Sequence, residues 1–130
     1  MTRLLVIGAH SADFVWRAGG AVAVATAAGG DARVIALSYG ERGESGELWK
    51  EPGQTVKRVK EIRPGEAERA AAVLGADFRC LDLGDYPLEI DAPALQRIAD
   101  EIREFAPVCV TSTSGANSRI SSAIRCSARA

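Results

Sequence analysis

Two apolar runs, "RLLVIGA" over residues 3–9 and "ARVIALSYG" over 32–40, constrain this chain more than anything else in it. Each is nearly continuous in aliphatic residues, which is the pattern of a strand covered on both faces; a half-exposed strand alternates. Between them "AGGAVAVATAAGG" (18–30) is alanine-rich and closes on glycines that suit a helix end. Strand, helix and strand within about forty residues is the size of a βαβ unit.

The alternation continues. Over 64–75, Ala67, Ala70, Ala71 and Leu74 fall on one helical face, with Pro64 placed in the first turn and Gly75 at the C-terminal cap. "DFRCLDL" (77–83) reads as a third strand. Over 91–107, Leu95, Ile98, Ala99 and Ile102 repeat the helical spacing, Asp91 serves as N-cap and Pro107 as stop. "VCVT" (108–111) begins a fourth strand. The expected fold class is α/β, a mostly parallel sheet with helices on both faces. Such sheets gather the loops after their strands along one rim. His10, Asp13, the polar stretch 40–54 and the turn 84–87 are therefore expected to meet there.

A chain of 130 residues suits one domain, and a net charge of −1 makes no electrostatic case for nucleic acid or an anionic membrane. The opening apolar run is too short for a membrane span. Cys80, Cys109 and Cys126 lack CxxC spacing and read as reduced thiols, which points to the cytoplasm. Residues 112–130 carry three arginines, six serines and no acid, without apolar periodicity. The expected division is a folded domain over 1–111 and a poorly packed tail over 112–130, the fold being incomplete at its C-terminal side. An incomplete sheet exposes an edge, so homo-oligomers are expected.

His10 is the only histidine, and Asp13 follows it by three residues on a strand-to-helix turn. An imidazole nitrogen and a carboxylate oxygen aimed at one point suit zinc or another divalent ion. A hydrogen-bonded structural histidine gives the same spacing. Asp85 and Tyr86, in "GDYPL", either line the pocket or form a plain turn before Pro87; Trp16 and Trp49 read as core or loop packing, with closure over a ligand the alternative for Trp49.

"HSADFVWRAGG", "GERGES", "AAAVLGA" and "GDYPL" occur in the order seen in the LmbE-like (PIG-L type) family, and the chain resembles its 4-oxalomesaconate hydratase branch over about residues 3–110. The resemblance implies a Rossmann-like three-layer fold and a zinc-dependent enzyme; for the hydratase branch it implies a role in aromatic-acid breakdown. By that resemblance His10 and Asp13 match the first two metal ligands. Ala12 stands where the family's deacetylases carry an aspartate acting as general base, and alanine cannot take a proton from water. The family's third ligand is a histidine beyond the fourth strand, and no histidine follows His10. Two protein ligands hold zinc weakly, so little activity is expected of this chain.

A hydratase of that branch would need an acid/base group, for which Glu44 is the first candidate and Glu41 the second. A polycarboxylate substrate calls for cations, for which Arg42, Arg63 and Arg17 are the candidates. Pro64 is expected to bias Arg63 away from helical geometry. Two other functions stay open: a zinc-dependent de-N-acetylase acting on an amino sugar, disfavoured by Ala12, and a non-catalytic nucleotide- or protein-binding module, disfavoured by the lack of GxGxxG.

Overall fold

In the computed structural model, which describes residues 2–113, four strands form one all-parallel sheet in the order β3-β2-β1-β4. They are β1 (Arg3–Gly8), β2 (Asp31–Ala36), β3 (Asp77–Cys80) and β4 (Cys109–Ser112). The helices are α1 (Asp13–Ala27), the single turn α2 (Gly46–Trp49), α3 (Val56–Val73) and α4 (Ala92–Phe105). Leu5 and Ile7 of β1 point to the face covered by Ile98, Ile102 and Phe105 of α4. Leu4 and Val6 point to the opposite face, against Phe14, Ala18 and Val22 of α1 and Ala71 of α3. Burial on both faces is why β1 and β2 need continuous apolar sequence. The chain steps from β1 outward to β3, then crosses to the far side of β1 for β4. That reversal is a topological switch point, the place where open α/β sheets bind ligands.

Several boundaries depart from the sequence expectation. Helix α3 begins at Val56 rather than Pro64, with the Thr55 side chain accepting the Arg58 amide as N-cap. Pro64 lies inside it, where it can donate no backbone bond. The helix persists because Val59, Ala67 and Ala71 are buried at four-residue spacing, and Arg63 falls in the same row. Arg63 is thus helical, contrary to the expected effect of Pro64. Helix α1 starts at Asp13, β3 ends at Cys80, and the stretch 40–54 buries Glu41 and Ser45 instead of lying wholly in solvent. Trp16 is 86% exposed and packs in no core. Residues 114–130, most of the expected tail, lie outside the described residues. Among the described residues no helix is long and apolar enough to cross a membrane.

Candidate functional site

Where β1 ends, Gly8 lets three elements converge. A Cβ there would lie 2.8 Å from the Thr113 hydroxyl and 3.2 Å from the Asp13 Cβ. The chain then turns through His10 into α1, and Asp13 accepts the His10 backbone N–H through Oδ2 at 3.0 Å. Ser11 donates to the Tyr39 carbonyl at 2.8 Å and Ser38 to the Ala9 carbonyl at 3.0 Å, which ties the ends of β1 and β2 together. The 40–45 loop folds back on itself as Ser45 donates to the Gly40 carbonyl at 2.8 Å.

This folding brings Glu44 to His10, its Oε1 3.1 Å from Nδ1, while Asp13 Oδ2 lies 3.8 Å from the same nitrogen. His10, Asp13 and Glu44 each offer one ligand atom, all within 4.8 Å of one another. One imidazole and two carboxylates are a donor set suited to a divalent ion, so the residues present fit the metal that the motif implies. Glu44, expected as an acid/base group, thus lies within ligand distance of the expected pair His10 and Asp13.

On its other side the His10 ring meets Asp85, Nε2 to Oδ1 at 3.1 Å. Asp85 Oδ2 accepts the backbone N–H groups of Arg42 and Gly43, each at 2.9 Å. Burial would raise the Asp85 carboxyl, but the Gly43 and Arg42 amides and the His10 ring outweigh it and hold it below its ordinary value. The neighbouring Tyr86 ring lies over Gly43 and leaves no space there for a Cβ.

The other sequence candidates are spread around this centre. Glu41 is buried, with Oε2 unpartnered, and its charge acts on Lys60 and Cys80. Arg42 enters through its backbone, its side chain being exposed. Arg63 donates to the Tyr39 carbonyl at 3.3 Å and to Glu66 at 2.9 Å. Arg17 donates to the Thr113 carbonyl at 3.2 Å. Trp49 packs by donating its indole N–H to the Glu41 carbonyl at 2.7 Å. A groove of about 410 Å³ runs past Glu44, Ser45 and Leu48 to Arg63 and Glu66. Those last two residues also border an apolar pocket of about 150 Å³ lined by Ala12, Phe14 and Ala67. The residue that sequence reasoning undervalued is Asp85. An acid before Tyr-Pro after a strand reads locally as a turn, and only its near-complete burial reveals it.

A parallel α/β sheet with a histidine–carboxylate cluster at its switch point defines a Rossmann-like protein with a candidate metal centre. The chain belongs to the PIG-L family: the family model, described as GlcNAc-PI de-N-acetylase, matches residues 5–120. It is 49% identical over 110 residues to a 4-oxalmesaconate hydratase of Pseudomonas putida KT2440, covering 85% of this chain and 43% of that protein. It also resembles the solved structure of GalB, a 4-carboxy-2-hydroxymuconate hydratase from Pseudomonas putida KT2440. There the TM-score is 0.85 and the identity 42%, covering 99% of this chain and 55% of that one. An N,N'-diacetylchitobiose deacetylase from Pyrococcus horikoshii shares the fold at 21% identity and TM-score 0.74, over 84% of this chain and 39% of that chain. The chain thus spans about half the length of the hydratases it matches.

Proposed function

We propose that this chain carries the metal-binding half of a hydratase that adds water across the conjugated C=C of an unsaturated 2-oxo polycarboxylate such as 4-oxalomesaconate. One observation carries the reading: Glu44 stands 3.1 Å from His10, while Ala12, at the place of the deacetylase base, faces an apolar pocket. The acid/base group has in effect moved from the α1 turn to the loop after β2. A divalent ion, zinc by family likeness, held by His10 and Asp13 would polarise the 2-oxo acid. Glu44, whose side chain is 39% exposed, is the carboxylate placed to move a proton to or from a molecule in the groove. Arg63, at the groove's far end and paired with Glu66, is the cation that a polycarboxylate in the groove would draw on. A reducing cytoplasmic setting belongs to this reading, since Cys80 and Cys109 are free thiols.

The test offers the zinc-loaded chain 4-oxalomesaconate and, separately, an N-acetylated amino sugar. Loss of the conjugated absorbance reports hydration and acetate release reports deacetylation. Slow hydration is expected, because with Glu44 reserved for the proton only His10 and Asp13 of the described cluster would hold the ion. Glu44→Gln is expected to lower it by about 10²–10⁴-fold. Acetate release with no hydration contradicts the reading.

A further inference from the structure

Asp85 is an aspartate whose side chain is 2% exposed, which is costly unless the charge is fully paired. Its pairing is complete and links distant segments. Oδ1 meets His10 at the end of β1, Oδ2 takes two amides of the loop after β2, and Asp85 itself follows β3. An ionised carboxylate only accepts hydrogen bonds, and both ring nitrogens of His10 have a carboxylate oxygen at 3.1 Å. The Nε2 contact is a hydrogen bond to the buried Asp85, whereas Glu44 is 39% exposed and open to solvent, which favours the hydrogen of a neutral ring on Nε2. The neutral ring then presents the Nδ1 lone pair, and Nδ1 is the atom that faces Asp13 and Glu44.

We propose that Asp85 is the positioning residue of this site: it fixes the hydrogen of His10 on Nε2, turns Nδ1 toward Asp13 and Glu44, and pins the loop that brings Glu44 to the ring. The proposal rests on the reading of His10 as a metal ligand and adds to it the group that orients that ligand. Carboxylates in this relation to a ligating histidine fix its tautomer, and their loss commonly weakens metal affinity about 10–100-fold. Asp85 holds the ligand and the loop with one side chain. Tyr86 reinforces the second hold by lying over Gly43, where any side chain would collide with its ring.

Asp85→Asn separates orientation from bulk, because the amide has the same shape. Its single oxygen would satisfy the Arg42 and Gly43 amides, leaving its NH2 facing Nε2, which must then accept. The chain has one histidine, so imidazole ¹⁵N signals report on His10 alone. Long-range ¹H–¹⁵N spectra of the ¹⁵N-labelled, metal-free chain, at a pH where the ring is neutral, are expected to show Nε2–H in the wild type and Nδ1–H in Asp85→Asn. Zinc affinity, measured by competition with a chromophoric chelator, is expected to fall about 10–100-fold with far-ultraviolet circular dichroism unchanged. An unchanged tautomer, or zinc bound by both proteins with equal affinity, overturns the proposal. If Asp85→Asn does not fold, the wild-type spectrum decides: Nδ1–H there overturns the proposal, and Nε2–H supports it. Failure of the metal reading looks different: the tautomer switches on substitution while neither protein binds zinc.

Discussion

Tyr39 and Cys80 sit side by side behind the site, and burial dominates the chemistry of both. Burial, reinforced by the nearby thiol, pushes the Tyr39 hydroxyl up to about 12. Burial likewise pushes the Cys80 thiol up to about 11, against the hydrogen bonds that Asp82 and Tyr39 provide. Both groups are neutral when protonated, and both hold their protons more tightly folded than unfolded. The stability they contribute is therefore fully present well below pH 9, begins to fall as the unfolded thiol ionises near 9, and is lost as pH rises through about 11 to 12. Urea midpoints measured from pH 8 to pH 11 are expected to fall, with a shallower fall in Cys80→Ala. A flat wild-type profile would contradict this assignment. Near neutral pH the Cys80 thiol stays protonated and is expected to alkylate more slowly than the exposed Cys109.

Helix α4 shows how far local signals reach at the scale of an element. Asp91 accepts the Ala94 amide at 2.9 Å, and Ala94, Ile98, Ala99, Ile102 and Phe105 are buried in a single stripe. The N-cap, the apolar period and the stop at Pro107 were all legible because each acts within a few residues. Asp91→Ala is expected to cost about 1 kcal/mol, read as a lower urea midpoint with an unchanged slope. A loss below a few tenths would mean the cap contributes nothing. Helix α3 marks the limit of the same reasoning. A proline normally opens or breaks a helix, yet packing of Val59, Ala67 and Ala71 against the sheet overrides that preference and carries Arg63 into the groove.

At the scale of the whole molecule, continuous apolar strands dictated a sheet buried on both faces, and the parallel order put His10 at its switch point. The convergence of the loops at residues 10–13, 40–45 and 84–87 follows from topology, so the rim was legible before any coordinate. Who touches whom on that rim was not. Asp85 meets His10 across 75 residues of sequence and Arg42 across 43, and no local pattern encodes such a pairing. Glu44 carried a signal in the glycines around it, while Glu41, one turn away in the same motif, faces elsewhere. Distinguishing the two required the fold of the loop itself.

The proposed site has His10 and Asp13 holding one divalent ion beside Glu44, the carboxylate that moves the proton. Equilibrium zinc binding to the wild-type chain and to His10→Ala, with the thermal midpoint followed in parallel, decides whether it exists. About one zinc per wild-type chain is expected, with a midpoint that climbs with zinc concentration because the ion binds only the folded state. Both effects are expected to vanish in His10→Ala. No zinc bound by the wild type, or equal binding by the two proteins, would contradict the proposed site.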